Sequence, residues 1–289
     1  MPRQTPSARP GFVPKLKALL SAALLALLPM VTSAAAQSAP ETVRFQSIAP
    51  DRAVLTGRLH RPARTGPAPA VVLMHGCGGW QPEVLATLDT YARFLTANGF
   101  VVLNLDSFGT RNLAGGRVCS SLGELRRARS YRTQDAFTAL AFLRHQRFVD
   151  GENIFLVGQS NGGSVALLSA LNSTVRRNGD QGFRGVVALY PWCGATGGRR
   201  LDLHSPLLVL GGGRDDWVPI RDCTRFVGRG QELSVRVFPN AAHSFDLRIP
   251  VQRYMGNLVG YNPQAAAASR NEMLAFFQRH SADRRLAAR

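Results

Sequence analysis

The sequence predicts one α/β domain, with a mostly parallel central sheet carrying helices on both faces. Three observations lead there. Strand-length apolar runs alternate with helix-periodic segments, the pattern of βαβ units. Several of those runs, notably 69–75 (Pro-Ala-Val-Val-Leu-Met-His) and 100–105, are almost wholly apolar, as expected of strands covered on both faces. The run Ile154–Val157 ends abruptly in Gly158-Gln-Ser160-Asn-Gly162, and apolar residues at Val165, Leu167 and Leu168 then read as a helix. Strand, tight turn with one serine, and helix form the context of a nucleophile elbow.

Taken in order, Thr42–Ser47 and Val54–Leu59 alternate apolar and polar residues and read as an antiparallel hairpin turning at Pro50 and Asp51. Residues 61–69 are a Pro/Gly-rich linker into the strand ending at His75. Leu85–Ala97 has helical periodicity, and Phe100–Leu105 is a buried strand. Ser107–Ser130 lacks periodicity and is expected to be a loop or small lid. Ala136–Phe148 reads as the helix leading into the elbow strand. Gly185–Tyr190, Pro206–Leu210 and Leu233–Phe238 are further strands, and Cys223–Gly228 and Asn271–His280 read as helices. No repeat, low-complexity tract or second domain boundary is visible.

The N-terminus looks like an export leader. Arg3, Arg9, Lys15 and Lys17 precede an apolar run, Ala18–Leu28, too short for a membrane span of roughly 20 residues. Ala34-Ala35-Ala36 fits a signal peptidase site. Residues 1–36 are therefore expected to be cleaved, leaving a domain over 37–289 in the periplasm or outside the cell, with no transmembrane segment. The four cysteines, Cys77, Cys119, Cys193 and Cys223, suit that compartment as two disulfides. Of three possible pairings, Cys77–Cys119 and Cys193–Cys223 is expected. No cysteine or histidine spacing resembles a zinc site, so neither metal nor cofactor is expected.

The formal charge is +17, and removing the four leader bases leaves +13, carried by arginine alone. The arginines are scattered and aromatics do not interleave with them, which argues against a nucleic-acid surface.

A serine hydroxyl needs a base, and the base needs an orienting carboxylate. Three histidines follow Ser160. His204 precedes the best acid, and His280 sits in the terminal helix beside Arg279. His243 lies in the loop after the strand ending at Phe238, at the sheet edge where this architecture gathers its working groups. The acid should come from Gly213-Arg-Asp215-Asp216-Trp-Val-Pro219. Either aspartate could serve; the form Gly-x-Asp-x-x-Val-Pro favours Asp215, with Asp216 then capping the segment near Pro219. Asp222 and Asp246 read as solvated or capping residues. Oxyanion donors are expected from the backbone N–H of Asn161 and from His75-Gly-Cys77-Gly-Gly79, where Cys77 is assigned and Gly76 is the alternative. His75 is expected to orient that loop. Trp192, Trp217 and Phe108 are candidate pocket walls.

Together, His75-Gly-Cys-Gly-Gly, Asp106-Ser-Phe-Gly109, Asp135, Gly158-Gln-Ser-Asn-Gly-Gly163, Tyr190-Pro-Trp-Cys193, Gly213–Pro219 and Ala242-His-Ser-Phe-Asp246 resemble the dienelactone hydrolase family of α/β-hydrolases. The resemblance spans roughly residues 69–280, and its motifs occur in order. It implies the α/β-hydrolase fold and a triad of Ser160, Asp215 and His243. One departure matters: dienelactone hydrolase itself carries cysteine in the elbow, where this chain has serine. That moves the expectation from dienelactones to general carboxylic esters, small molecules cleaved through an acyl-enzyme. The alternatives are a peptidase or amidase on the same fold, or a non-catalytic envelope binding protein. An intact nucleophile, acid, base and glycine loop argue against the last.

Overall fold

A computed structural model describes residues 1–2, 39–113 and 115–282. Apart from its first two residues, the expected leader lies outside them, as does the expected mature start at Gln37. The unit described below belongs to the span Ala36–Arg289.

In chain order the elements are β1 (Glu41–Gln46), β2 (Val54–His60), β3 (Ala68–Met74), α1 (Pro82–Ala97), β4 (Val101–Asp106), α2 (Leu122–Arg144), β5 (Val149–Gln159), α3 (Asn161–Ser169), α4 (Asn172–Arg177), β6 (Gly185–Leu189), β7 (Arg200–Asp202), β8 (Leu207–Gly212), β9 (Val227–Arg229), β10 (Leu233–Phe238), β11 (Gln252–Tyr254), β12 (Asn257–Val259) and α5 (Pro263–His280). Eight strands form one sheet in the order β1-β2-β4-β3-β5-β6-β8-β10. From β4 to β10 every pairing is parallel, whereas β2 runs antiparallel to β4 and to β1. This is the predicted α/β-hydrolase architecture.

The central strands are apolar throughout because helices cover both faces. All seven residues of β3 are buried. Its side chains alternate: Ala70, Val72 and Met74 join the core under α2 and α3, while Val71 and Leu73 join the core under α1 and α5. Parallel order then places the loops after β3, β5, β8 and β10 at one sheet edge.

Three sequence expectations need correction. The 107–130 segment is not all loop: α2 begins at Leu122, where Ser121 accepts from the Glu124 N–H, the Ser-x-x-Glu pattern of a capping box. Nor is it outside the core, since Phe108, Val118 and Ala128 are buried around the Cys77–Cys119 disulfide. Helix α5 starts eight residues before the expected Asn271, with Asn262 capping the Ala265 N–H and Pro263 in the first turn. Cys223–Gly228 is not a helix. A 3-10 turn over Ile220–Arg225 carries Cys223 to its disulfide with Cys193, and β9 follows, paired to β7.

Candidate active site

Ser160 stands between β5 and α3 with φ of 52°, a conformation that is costly for a residue with a side chain. Glycines on either side make the turn possible. A Cβ on Gly158 would run into the Gly162 carbonyl, and one on Gly162 into the His75 and Met74 carbonyls. The Ser160 N–H donates to Leu189 O at 2.9 Å, tying the elbow to β6. The hydroxyl is thereby held half-exposed above the sheet edge.

His243 Nε2 lies 3.0 Å from Ser160 Oγ, and its Nδ1 lies 2.7 Å from Asp215 Oδ2. A carboxylate accepts but cannot donate, so Nδ1 carries the proton and Nε2 faces the serine as acceptor. Asp215 Oδ1 accepts from the Trp217 and Val218 N–H groups at 3.0 and 2.9 Å, which fixes the carboxylate. Asp215 and His243 are 5 % and 3 % exposed, so their pairing is shielded from water. The imidazole loop is pinned from both ends: the His243 N–H donates to Leu258 O, and the Gly260 N–H donates to His243 O.

The structure separates the two candidate aspartates. Asp216 faces outward, accepting from the Leu258 N–H and pairing with Arg253, so it fastens the β11–β12 hairpin instead of capping the turn at Pro219. Those contacts, the Leu258 N–H foremost, hold its pKa below the usual carboxylate value.

The glycine loop after β3 runs alongside the elbow, and a Cβ on Gly76 would sit 3.3 Å from Ser160 Cβ. Among the described residues neither the Cys77 nor the Asn161 N–H has a protein acceptor. His75 is fully buried; it accepts from the Ser107 N–H at Nε2, and its Nδ1–H donates to Gly76 O at 2.7 Å. Burial, with Arg132 nearby, lowers its pKa, and its ring bridges Gly76 O and the Ser107 N–H.

Arg132, which the sequence suggests only as an anchor, with Tyr131, for the 107–130 segment, joins the two glycine-flanked segments. It is fully enclosed, donating from Nη2 to His75 O at 2.6 Å and from Nη1 to Asn161 Oδ1 at 2.7 Å. Burial pulls its pKa down to about 10, so it remains a cation at neutral pH. Nothing in a helix with five arginines singles out the one that turns inward.

Asp246 departs most from expectation: it is neither solvated nor a cap. It is 4 % exposed and accepts from Gln159 Nε2 (2.7 Å), the Tyr190 hydroxyl (2.6 Å) and the Tyr91 hydroxyl (3.0 Å). Burial raises its pKa against the pull of those three donors. Burial and the Asp246 charge in turn push both tyrosines well above their usual value, so they stay donors.

A cavity of about 390 Å³ opens over Ser160 and His243. Trp217 lines it and packs 5.1 Å from the His243 ring. Cys77 and Cys119 line it as one disulfide. Trp192 does not; it is 40 % exposed beneath the Arg129 guanidinium. Phe108 is buried against His75 and Arg132, away from the cavity. Among the described residues no group of three His, Cys, Asp or Glu side chains could hold a metal.

The sequence model of the dienelactone hydrolase family matches residues 55–281. The chain belongs to the dienelactone hydrolase family. Family membership makes it a hydrolase acting on ester bonds. Solved structures share the fold of this dienelactone hydrolase relative. A dienelactone hydrolase from Anabaena variabilis superposes with a TM-score of 0.57 at 17% identity, covering 84% of this chain and 99% of its own. A dienelactone hydrolase-like promiscuous phosphotriesterase from metagenomic libraries gives 0.61 at 21% identity, with 84% and 99% covered. A thermophilic esterase from Thermogutta terrifontis, bound to propionate, gives 0.58 at 17% identity, with 83% and 93% covered. No match is found among curated protein sequences.

Proposed function

We propose that the protein is an exported serine hydrolase that cleaves a small carboxylic ester through an acyl-enzyme. The observation that carries this is the unbroken relay from Asp215 through His243 to Ser160, at 2.7 and 3.0 Å. Ser160 Oγ attacks the ester carbonyl as His243 Nε2 takes its proton. The oxygen that becomes negative is held by the Cys77 and Asn161 N–H groups, a contribution of about 3 kcal/mol per donor in comparable sites. Collapse breaks the bond to the alcohol, which leaves with the proton from the imidazolium. Water then attacks the acyl carbon, giving a proton to Nε2; the bond from the acyl carbon to Ser160 Oγ breaks as the imidazolium returns that proton to Oγ, releasing the acid and restoring free Ser160 and neutral His243. Asp215 keeps the tautomer and stabilises the transient imidazolium.

Two disulfides are compatible with an oxidising compartment, and no helix among the described residues is long and apolar enough to cross a membrane. The test has two parts. A fluorophosphonate probe is expected to label the wild type and not Ser160→Ala, with hydrolysis falling by at least about 10⁴-fold in the variant. Absence of labelling in the wild type would favour a binding protein. p-Nitrophenyl esters are expected to be cleaved in preference to the matching p-nitroanilides; the reverse order would point to an amidase.

A further inference from the structure

The wall of the cavity over Ser160 departs from the rest of the molecule in charge. The chain carries 35 lysines and arginines against 18 acids. Yet among the described residues no arginine or lysine lines this cavity, and Glu83 supplies its one carboxyl side chain. The remainder of the wall is mainly apolar, with Val84, Trp217, Leu247, Ile249 and Val259 facing the space. Two arginines near the site direct donors away from it. Arg132 donates from Nη1 and Nη2 to Asn161 Oδ1 and His75 O, behind the glycine loops. Arg253, on the β11–β12 hairpin, donates from Nη1 to Asp216 and Gly256 O.

We infer that the site selects esters whose acyl chain is uncharged and aliphatic, and discriminates against acyl chains that end in a carboxylate. This inference rests on the esterase reading above. A carboxylate at the end of an acyl chain would lose hydration in the cavity and meet no cation among its described residues, while the free Cys77 N–H is assigned to the reacting carbonyl. Helix α1 opens toward the site, and its N-terminal turn would ordinarily favour an anion, but Glu83 already occupies that turn. The basic exterior draws anions toward the molecule, and the cavity refuses them. A volume of about 390 Å³ suits a small substrate.

The test compares kcat/KM for three esters after subtraction of the uncatalysed rate. These are p-nitrophenyl hexanoate, the p-nitrophenyl monoester of adipic acid, and that monoester with its free acid capped as the methyl ester. The neutral hexanoate and capped adipate are expected to exceed the free-acid adipate by about tenfold or more. Glu83→Arg is expected to narrow that gap. Free-acid turnover equal to or faster than the neutral pair would overturn this inference and leave the esterase reading standing. A gap that Glu83→Arg leaves unchanged would overturn the charge argument. Failure to cleave any of the three would instead bring down the esterase reading on which the inference rests.

Discussion

Asp246 follows His243 by three residues and reaches back to grip the residue before Ser160. Its carboxylate accepts from Gln159, next to the proposed nucleophile, and from Tyr190, whose ring packs edge-on to His243 at 4.8 Å. One buried group therefore fixes both ends of the Ser160–His243 contact. Asp246→Asn keeps the volume but turns an NH2 toward partners that are all donors, at a cost of about 1–3 kcal/mol. A purely structural role would lower the melting temperature and leave kcat alone. A positioning role also lowers kcat, by roughly tenfold with a smaller change in KM. Steady-state kinetics beside a thermal melt separates the two, and wild-type kcat in a folded variant would refute positioning. Sequence alone does not reveal this part of Asp246. An aspartate after Ser-Phe in a loop looks solvated, and only the three distant donors make burial tolerable.

Among the elements, the glycine loop after β3 is held less by its own sequence than by what it is fastened to. The Cys77–Cys119 disulfide joins it to the segment before α2, across 42 residues. That segment is itself anchored where Arg111 bridges Asp51 and Asp135. Closing a loop of this length stabilises the fold by about 4 kcal/mol in the chain-entropy picture. Because Cys77 also carries a proposed oxyanion N–H, its loss should reach catalysis as well as stability. The Cys77→Ala/Cys119→Ala double variant is expected to lose at least about fivefold in kcat at temperatures where it stays folded. Cys193→Ala/Cys223→Ala removes a disulfide whose cysteines do not line the cavity and is expected to lower the melting temperature with kcat nearly unchanged. Equal kcat losses in the two variants would contradict the assignment.

For the molecule as a whole, buried histidines set the response to acid. Desolvation lowers the pKa of His75, His60 and His280 from the ordinary 6.5. Between each folded value and 6.5 the unfolded chain binds the proton and the folded chain does not. Stability is therefore expected to fall as pH drops below about 6.5. Asp51 and Asp106 are held below 3.8, Asp51 by Arg111 and Asp106, despite burial, by the Gly109 and Phe108 N–H groups that donate to it, so a second loss follows as pH passes below that value. Asp246 works in the opposite sense: its raised value favours the protonated form in the folded state, and it opposes part of the loss. Urea unfolding between pH 8 and 5 checks the first step. A flat profile there would show that the buried histidines do not govern it.

The sequence carried the order of the eight strands of the main sheet, the elbow at Ser160 and the candidate partners Asp215 and His243. Those features are local: continuous apolar runs, glycines where a Cβ cannot fit, and short motifs at strand ends. It carried signals for the true starts of α2 and α5 in Ser121-x-x-Glu124 and Asn262-Pro263, which weak apolar periodicity nearby obscured. Tertiary structure alone decided which aspartate meets the imidazole, which arginine turns inward, and that Asp246 is enclosed. Each of those depends on donors and acceptors far away in the chain, and the free energy of burying a polar group is set by its partners, not by its neighbours in sequence.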